Sequence, residues 1–436
     1  MIKTFVYSGL IFLSTLSVNQ LKAQKAADDF KPRPSTLHKI LLESDNFPKK
    51  ELVLKTYNSL PFPDQYIDFA LKSKSFNPKK YVITEADRAA VGKSSGSKLG
   101  KMGKSAMSGA TGGLVDSSAA DIPLQIEKYL KENQVAKQMA AKWLDIQDGR
   151  AQIGNYMMQR ALSGISENEK MGDMDTYKAN LLLNEVELMS KSFVIVNKMF
   201  FQENEPVVRV IRDAAKIAAT EKIKQPMLLE KALKAADLAY EKGKEGYTVF
   251  ATSYLYQLDW NEEKAKLAND LFNNKNVNAQ AAFDTTSLFN LAYLGKETSM
   301  ALVTFSLKEK RTEEQIIQLA VKRALNNAMT KLQRSYEIFR PMYPLTNVEP
   351  FTAAIGTKEG VQNGDKFDVF MGVKMGKWEK VASCSVGKKD IIWDNESEEP
   401  QTKVAEDGSV VELPKLTTFK GKKKNATILC IYLTQF

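Results

Sequence analysis

The chain has 436 residues, of which 43% are hydrophobic and 26% are charged, a composition typical of folded soluble proteins and not of fibrous or disordered ones. An excess of Lys and Arg over Asp and Glu gives a net charge of +10. The chain has one histidine and two cysteines, which nearly excludes chemistry built on several imidazoles or thiolates. The sequence therefore predicts no metal site and no cofactor.

The N-terminus has the pattern of a secretory signal peptide over residues 1–23. Lys3 supplies the positive start, residues 5–18 are mainly apolar, and the segment 21–23 offers a cleavage site. This apolar stretch is too short to span a bilayer as a helix of ~20 residues, and no later segment is long enough. We therefore expect export to the periplasm or the periplasmic face of the outer membrane, with no transmembrane segment after cleavage.

Residues 24–91 are rich in proline and predict an N-terminal arm that packs on something larger. Helical spacing occurs only near 37–41 and 52–57, and His38 at the first of these is expected at the surface or as a cap. Residues 92–120 consist mainly of Gly, Ser, Ala, Lys and Met without sustained periodicity, which predicts a linker.

Residues 121–340 alternate between helical and strand periodicity, which predicts an α+β body with a small mixed sheet. Apolar spacings of three and four predict helices from 121, and then at 177–189, 207–220, 227–242 and 313–336. A β-branched run predicts a strand at 192–197, and alternation predicts another at 247–260. The segments 288–294 and 300–306 flank Gly295 and predict a hairpin.

Residues 341–436 lose the helical signal and contain short strand patterns separated by glycines. The predicted strands are 351–355, 366–370, 378–386 and 427–433. An acidic segment at 394–407 is expected to form a loop. The fold class predicted for the chain is α+β: a helix-rich body followed by a small all-β C-terminal module, either a barrel or a sandwich.

The segment 353–370, AAIGTKEGVQNGDKFDVF, resembles the small β-modules of periplasmic ring and assembly proteins. The elements before it are similar in order to αβ domains of the TolB amino-terminal and curli-secretion lipoprotein type. The whole chain, with SFVIVNK at 192–198 and GYTVFATSYLYQLDWNEE at 246–263, resembles an exported protein family of Bacteroidota. These resemblances imply envelope assembly or interaction. Pore formation is not implied, because the lipidation cysteine is absent and the extra helices and basic linker have no counterpart in that αβ domain.

Basic residues are concentrated between positions 72 and 104, where nine Lys and Arg face two acids. Such a segment attracts anionic lipid or lipopolysaccharide by about 1 kcal/mol per charge, although a solvated charge run with no partner explains it equally well. Nucleic acid would be attracted by the same charges, but export makes it an improbable partner. The residues expected to bind an anionic surface are Lys93, Lys98, Lys101 and Lys104.

Three aromatic residues of the predicted strand at 247–260 share one face: Tyr254, Tyr256 and Trp260. They have two interpretations, a groove for carbohydrate or peptide and the buried face of a sheet. Cys384 and Cys430 lie in two predicted strands of the C-terminal module. In an oxidising compartment they either form a disulfide or remain two buried thiols.

The acid pairs Glu185/Glu187 and Glu262/Glu263 would each diverge on a helix. Glycosidases often hold their two carboxylates on separate elements, so the sequence leaves that arrangement open. The leading hypothesis is a non-enzymatic periplasmic protein, associated with the outer membrane, that binds or assembles through protein contacts with an envelope partner. The alternative is a carbohydrate- or peptidoglycan-active protein that uses aromatic and acidic residues.

Overall fold

The structure is a computed structural model that describes most of the chain between residues 34 and 435. The described residues are 34–94, 121–144, 146–147, 150–151, 185–272, 277–305, 311–374, 377–396, 401–404, 409–421 and 431–435. The predicted signal peptide and most of the predicted linker lie outside these residues. So does most of the helix predicted at 177–189, of which the structure describes a helical stretch over 185–190.

Helices and strands are mixed along the described chain, which confirms the α+β class. The helices are α1 (Lys50–Ser59), α2 (Glu85–Ser94), α3 (Ile122–Glu132), α4 (Val135–Trp143), α5 (Asn204–Lys222), α6 (Pro226–Gly243), α7 (Glu262–Phe272), α8 (Ala279–Thr285) and α9 (Glu313–Ser335). The strands of the first half are β1 (Ser35–Leu42), β2 (Tyr66–Asp68), β3 (Ser75–Phe76), β4 (Ile146–Gln147), β5 (Arg150–Ala151), β6 (Ser192–Glu203), β7 (Gly246–Leu258) and β8 (Leu291–Thr304). The remaining strands are β9 (Tyr343–Val348), β10 (Phe351–Ala353), β11 (Lys366–Lys374), β12 (Lys377–Ser385), β13 (Thr402–Val404), β14 (Val410–Glu412), β15 (Thr417–Gly421) and β16 (Ile431–Gln435).

A mixed sheet of six strands forms the centre of the body, with the order β2-β1-β6-β7-β8 and with β3 also paired to β1. Strand β1 is parallel to β2, β3 and β6. Strand β7 is antiparallel to both of its neighbours, β6 and β8. The pairing of β6 with β7 is unbroken from Phe193 opposite Gln257 to Glu203 opposite Tyr247. This ladder therefore runs along the centre of the sheet without a shift in register.

An apolar core lies on each face of the sheet, and alternate residues of each strand point to opposite faces. On one face, Val194 and Val196 of β6 pack in a core that includes residues of α3, α4, α7 and α8. On the other face, Met199 of β6 and Val249 of β7 pack with α1 and α9. Helix α9 follows this second face because its apolar stripe recurs at helical spacing, and a capping box of Thr312 and Gln315 fixes its start.

The predicted N-terminal arm is corrected in one respect, because β1 is an interior strand of the sheet and not a helix start. Residues Thr36 to Leu42 pair with Ser192 to Lys198 of β6. A strand buried on both faces has no polar alternation, so its apolar spacing imitates a helix. His38 is accordingly not at the surface: it is 2% exposed, and its Nε2 atom lies 2.8 Å from the carbonyl oxygen of Ser73. Burial lowers the pKa of this histidine.

The hairpin predicted around Gly295 is also wrong, because 291–304 form the single strand β8. The pairing register of β8 with β7 shifts opposite Leu255 and Tyr256, next to Gly295. A Cβ atom at Gly295 would overlap the ring of Tyr336, so the glycine permits a close approach of helix α9's end. Glycine inside a strand often marks a bulge or a close approach of another group.

The C-terminal strands β9, β10, β11, β12, β15 and β16 pair with one another in a closed circuit, β10-β15-β12-β11-β16-β9. Phe367 and Phe419 pack inside it with ring centroids 5.0 Å apart. Arg334 of α9 donates to the carbonyl oxygen of Gly360 at 2.6 Å and to Asp365 at 2.9 Å. This arginine therefore connects the long helix of the body to the C-terminal strands.

Within the described residues, no helix is both long enough and apolar enough to cross a membrane.

Candidate functional site: a projecting helical hairpin

Helices α5 and α6 replace the turn between the two longest paired strands. Helix α5 begins at Asn204, directly after β6, and α6 ends at Gly243, three residues before β7. Both helices were predicted from their apolar spacing, and Pro226 is tolerated in the first turn of α6 because the amides there lack partners within the helix. With 19 residues, α5 is about 28 Å long.

Buried hydrogen bonds fix the base of this hairpin to the sheet. Asn204 is fully buried, and its Nδ2 atom donates to the carbonyl oxygen of Val303 at 3.0 Å. Its Oδ1 atom accepts from Thr248 Oγ1 at 2.7 Å. Gly246 has a φ of 128°, and a Cβ atom there would overlap the carbonyl oxygen of Val303. The chain therefore enters and leaves the hairpin at defined positions.

Beyond its base the hairpin is largely exposed. The buried residues of α5 are Asn204, Val207 and Val208, and the only buried residue of α6 is Gly243. Several large apolar side chains further along face solvent: Ile211 (48% exposed), Ile217 (61%), Met227 (65%), Leu228 (49%) and Leu238 (56%). The two helices thus project from the sheet and present apolar surface at a distance from the core.

Charged groups of the hairpin are nearly balanced, with eight basic and six acidic residues from 204 to 243. Lys216 of α5 contacts Asp237 of α6 at 2.5 Å, and Lys234 contacts Glu230 at 2.6 Å. Tyr240 donates to Glu205 at 2.9 Å, and this hydrogen bond raises the pKa of the tyrosine. The apolar side chains, and not a large uncompensated charge, are therefore the distinctive feature of this surface.

The aromatic residues predicted as a groove are part of the core. Tyr254, Tyr256 and Trp260 are 3%, 2% and 5% exposed. Trp260 stacks on Phe289 with ring centroids 5.6 Å apart, and Tyr256 packs against Tyr293 at 5.2 Å. These three residues line no open groove. The alternation of aromatic residues along β7 therefore corresponds to the buried face of the strand.

The lysines predicted to bind anionic surfaces cannot be placed in a site. Lys98, Lys101 and Lys104 lie outside the described residues. Lys93 belongs to the last turn of α2, which therefore extends into the segment predicted as linker. Their affinity for anionic surfaces stays a prediction.

Cys384 lies on β12, where it is 4% exposed and pairs across the strands with Phe367 and Gly421. Burial raises the pKa of its thiol to about 12, which makes it a poor nucleophile. It forms no disulfide within the described part of the chain. Cys430 lies outside that part, so the predicted pairing is untested.

Glu262 and Glu263 are exposed in the first turn of α7, and the two acids of the other pair, Glu185 and Glu187, have different surroundings. Glu187 meets Lys191 at 2.6 Å, whereas burial raises the pKa of Glu185 to about 7. In the ranges that the structure describes, no group of three or more His, Cys, Asp or Glu side chains could hold a metal ion.

Comparisons of this chain with protein-family models, with curated proteins and with solved structures found no match. The functional argument therefore depends on the geometry of the chain itself. Sequence reasoning predicted α5 and α6 but overlooked their exposed apolar positions. The sequence does contain an indication of these exposed positions. Packing one helix on the other needs only a narrow apolar stripe, and the apolar residues of each helix extend beyond such a stripe.

Proposed function

We propose that the protein is a non-enzymatic component of the bacterial envelope that acts by binding, with the α5–α6 hairpin as its contact with a protein partner. The observation that carries this proposal is the set of exposed apolar side chains on a hairpin whose base is fixed in the sheet. Contacts of this kind gain affinity from burying apolar surface. A rigid base lowers the entropy lost when the surface is ordered by a partner.

The near balance of charge on the hairpin favours a protein over an anionic membrane as the occupant. Helices that lie on membranes combine an apolar face with a strongly cationic one. Here Lys216 and Lys234 are already paired with carboxylates of the same hairpin. An apolar groove or helix on a protein matches this surface better.

Export, a periplasmic location and association with the outer membrane are part of the proposal and depend on residues 1–23. We further infer that the C-terminal strands act as a separate barrel-like module, as the resemblance of 353–370 to envelope modules implies. The closed circuit of strand pairs supports this inference. A carbohydrate-active protein is the less favoured alternative, because Tyr254, Tyr256 and Trp260 are packed in the core.

Site-specific photo-crosslinking in cells that make the full chain tests the proposal. A photoreactive amino acid replaces Ile217, Met227 or Leu238, one position in each variant. In two control variants the same photoreactive amino acid replaces Val411 or Leu267, which are also exposed. These side chains are exposed, so the replacements leave the fold intact. We expect one discrete protein adduct, identified by mass spectrometry, from the three hairpin positions and none from the controls.

Two results would overturn the proposal. Adducts of equal yield from the hairpin and the controls would mean that the hairpin is an unselective surface. Adducts to lipid alone, or no adduct from any hairpin position, would show that a protein partner does not occupy this surface.

A further inference from the structure

A recess with an empty volume of about 630 Å³, including the part open to solvent, lies away from the hairpin on the α1–α9 side of the sheet. Residues of β1, β6 and β7 form its floor, α9 and the segment after α1 form its walls, and the 3₁₀ helix Thr357–Glu359 closes it from the C-terminal strands. Its lining is mixed, and its polar members are Lys39, Tyr57, Asn197, Ser253, Lys322, Asn326 and Lys358.

Two floor residues, Asn197 and Ser253, form a hydrogen-bonded triad with Tyr57 of α1. Asn197 of β6 donates to Tyr57 Oη at 2.9 Å. The Oδ1 atom of Asn197 accepts from Ser253 Oγ of β7 at 2.6 Å. Burial raises the pKa of the Tyr57 hydroxyl, so it stays protonated. Polar groups this well satisfied form a preorganised surface.

Three lysines from distant parts of the chain line the same recess, and no carboxylate does. Lys39, Lys322 and Lys358 are each half-buried, and none forms an ion pair with any described residue. Burial lowers the pKa of Lys39, although Asp68 opposes this effect from a distance. Its ammonium lies 4.8 Å from the centroid of the Phe62 ring, a contact that compensates the charge only in part.

An unpartnered amide lines the recess as well. The side-chain nitrogen of Asn326 on α9 is buried and has no hydrogen-bond partner. Buried donors in native proteins nearly always have a partner, so an orphaned one calls for an explanation. Cations that are withdrawn from water without a counterion are likewise costly. A bound anion would satisfy both the lysines and the amide.

The remaining lining indicates what is attached to that anion. Apolar side chains form the rest of the wall: Leu60, Pro61, Pro63, Ile195, Leu325 and Met329. We propose that this recess binds a small molecule with a carboxylate or phosphate head, held by Lys39, Lys322, Lys358 and Asn326, and an apolar body placed against the proline and leucine wall. This binding is separate from the protein contact assigned to the hairpin.

Calorimetric titration of the full mature chain tests this assignment with four probes. Phenyl phosphate and benzoate carry an anionic head on an apolar body, inorganic phosphate lacks the body, and benzyl alcohol lacks the charge. We expect saturable binding of phenyl phosphate, benzoate or both, weaker binding of inorganic phosphate and no binding of benzyl alcohol. The stronger of the two aromatic anions identifies the head group.

In each of two variants, Lys39→Gln and Lys322→Gln, the affinity for the tightest-binding probe is expected to fall at least tenfold. Exposed Lys231→Gln on the hairpin removes the same charge elsewhere and should leave affinity unchanged. If Lys39→Gln fails to fold, Lys322→Gln is sufficient to test the proposal, because Lys322 is not among the buried residues of α9. Equal affinity in Lys322→Gln and Lys231→Gln, or no binding of either aromatic anion, would overturn the proposal.

Discussion

Lysines occur on both the hairpin and the recess, but their surroundings differ. On the hairpin, Lys216 and Lys234 meet carboxylates within 2.6 Å, and the side chain of Lys234 is 75% exposed. In the recess, Lys39 is half-buried and has no ion-pair partner among the described residues. Exposed pairs contribute little to stability, whereas a desolvated unpaired cation is unfavourable.

Apolar side chains show the reverse arrangement. Those of the hairpin, such as Ile217 and Met227, face solvent, whereas those of the recess line a concavity together with the lysines. A protruding apolar surface suits a macromolecular partner, and a concave apolar wall with charged groups suits a small molecule. The two regions therefore differ in the size of ligand that they can take. Because their polar groups also differ in burial, substitutions in the two regions should differ in their effect on the free energy of unfolding.

The largest effect is expected from Asn197→Ala at the floor of the recess. The substitution leaves the buried hydroxyls of Tyr57 and Ser253 without their partner, at a cost of about 3 kcal/mol in the free energy of unfolding. Urea denaturation measures this cost. Asn327→Ala, at an exposed position of α9, is the control and should change stability by less than about 0.5 kcal/mol. Similar values for the two variants would show that the floor is not preorganised.

A smaller loss is expected from Arg334→Ala at the junction with the C-terminal strands. Its hydrogen bonds to Gly360 and Asp365 are charge-assisted and half-buried, so their removal should cost about 1–2 kcal/mol. Arg209 of the hairpin is the control, because its ion pair with Glu205 is exposed and 3.5 Å long. If Arg209→Ala lowers the free energy of unfolding as much as Arg334→Ala does, the proposed difference between the junction and the hairpin is wrong.

Lys39→Met should change stability in the opposite direction. The pKa of Lys39 is lowered in the folded state, so its charge is a cost wherever the lysine is protonated in both states. Removing that charge should stabilise the ligand-free protein by about 1 kcal/mol at pH 7. The gain should shrink as pH rises through the lowered pKa, because the folded wild-type chain then releases the proton.

Unfolding measured at pH 7 and pH 10 tests the Lys39 prediction. Lys231→Met on the hairpin should show neither the gain nor its dependence on pH. A destabilised Lys39→Met variant at pH 7 would mean that the ammonium has a favourable partner, and the recess would then lose its reason to bind an anion.

Much of the fold was predictable wherever one period dominates the sequence. Strand β7 alternates, and α5, α6 and α9 have apolar stripes at helical spacing, so local patterns predict them. The sequence pattern did not predict strand β1, because both of its faces are buried and its apolar residues at 37, 40 and 41 have the spacing of a helix. Strand β8 was predicted as a hairpin, because Gly295 suggested a turn; in the structure this glycine permits a close contact with Tyr336.

The candidate sites were less predictable for different reasons. The apolar residues of the hairpin are visible in the sequence, but whether other elements cover such residues is decided by the tertiary structure. The recess combines Lys39 of β1 with Lys322 of α9 and Lys358 of the 3₁₀ helix Thr357–Glu359. Lys39 is far from the other two in sequence, and no local pattern connects the three, because the packing of a strand, a helix and the C-terminal region brings them together.

The smallest effect is expected from Asp237→Asn on the hairpin. This change removes the carboxylate that contacts Lys216 at 2.5 Å, yet Asp237 is 51% exposed. Water screens exposed pairs of this kind, so the loss should be about 0.3 kcal/mol and should vanish in about 1 M salt. Parallel urea denaturation of the variant and the wild-type chain at low and high salt measures it. A loss above about 1 kcal/mol that persists in salt would show that the hairpin depends on this ion pair, and its charges would then resemble those of a buried site.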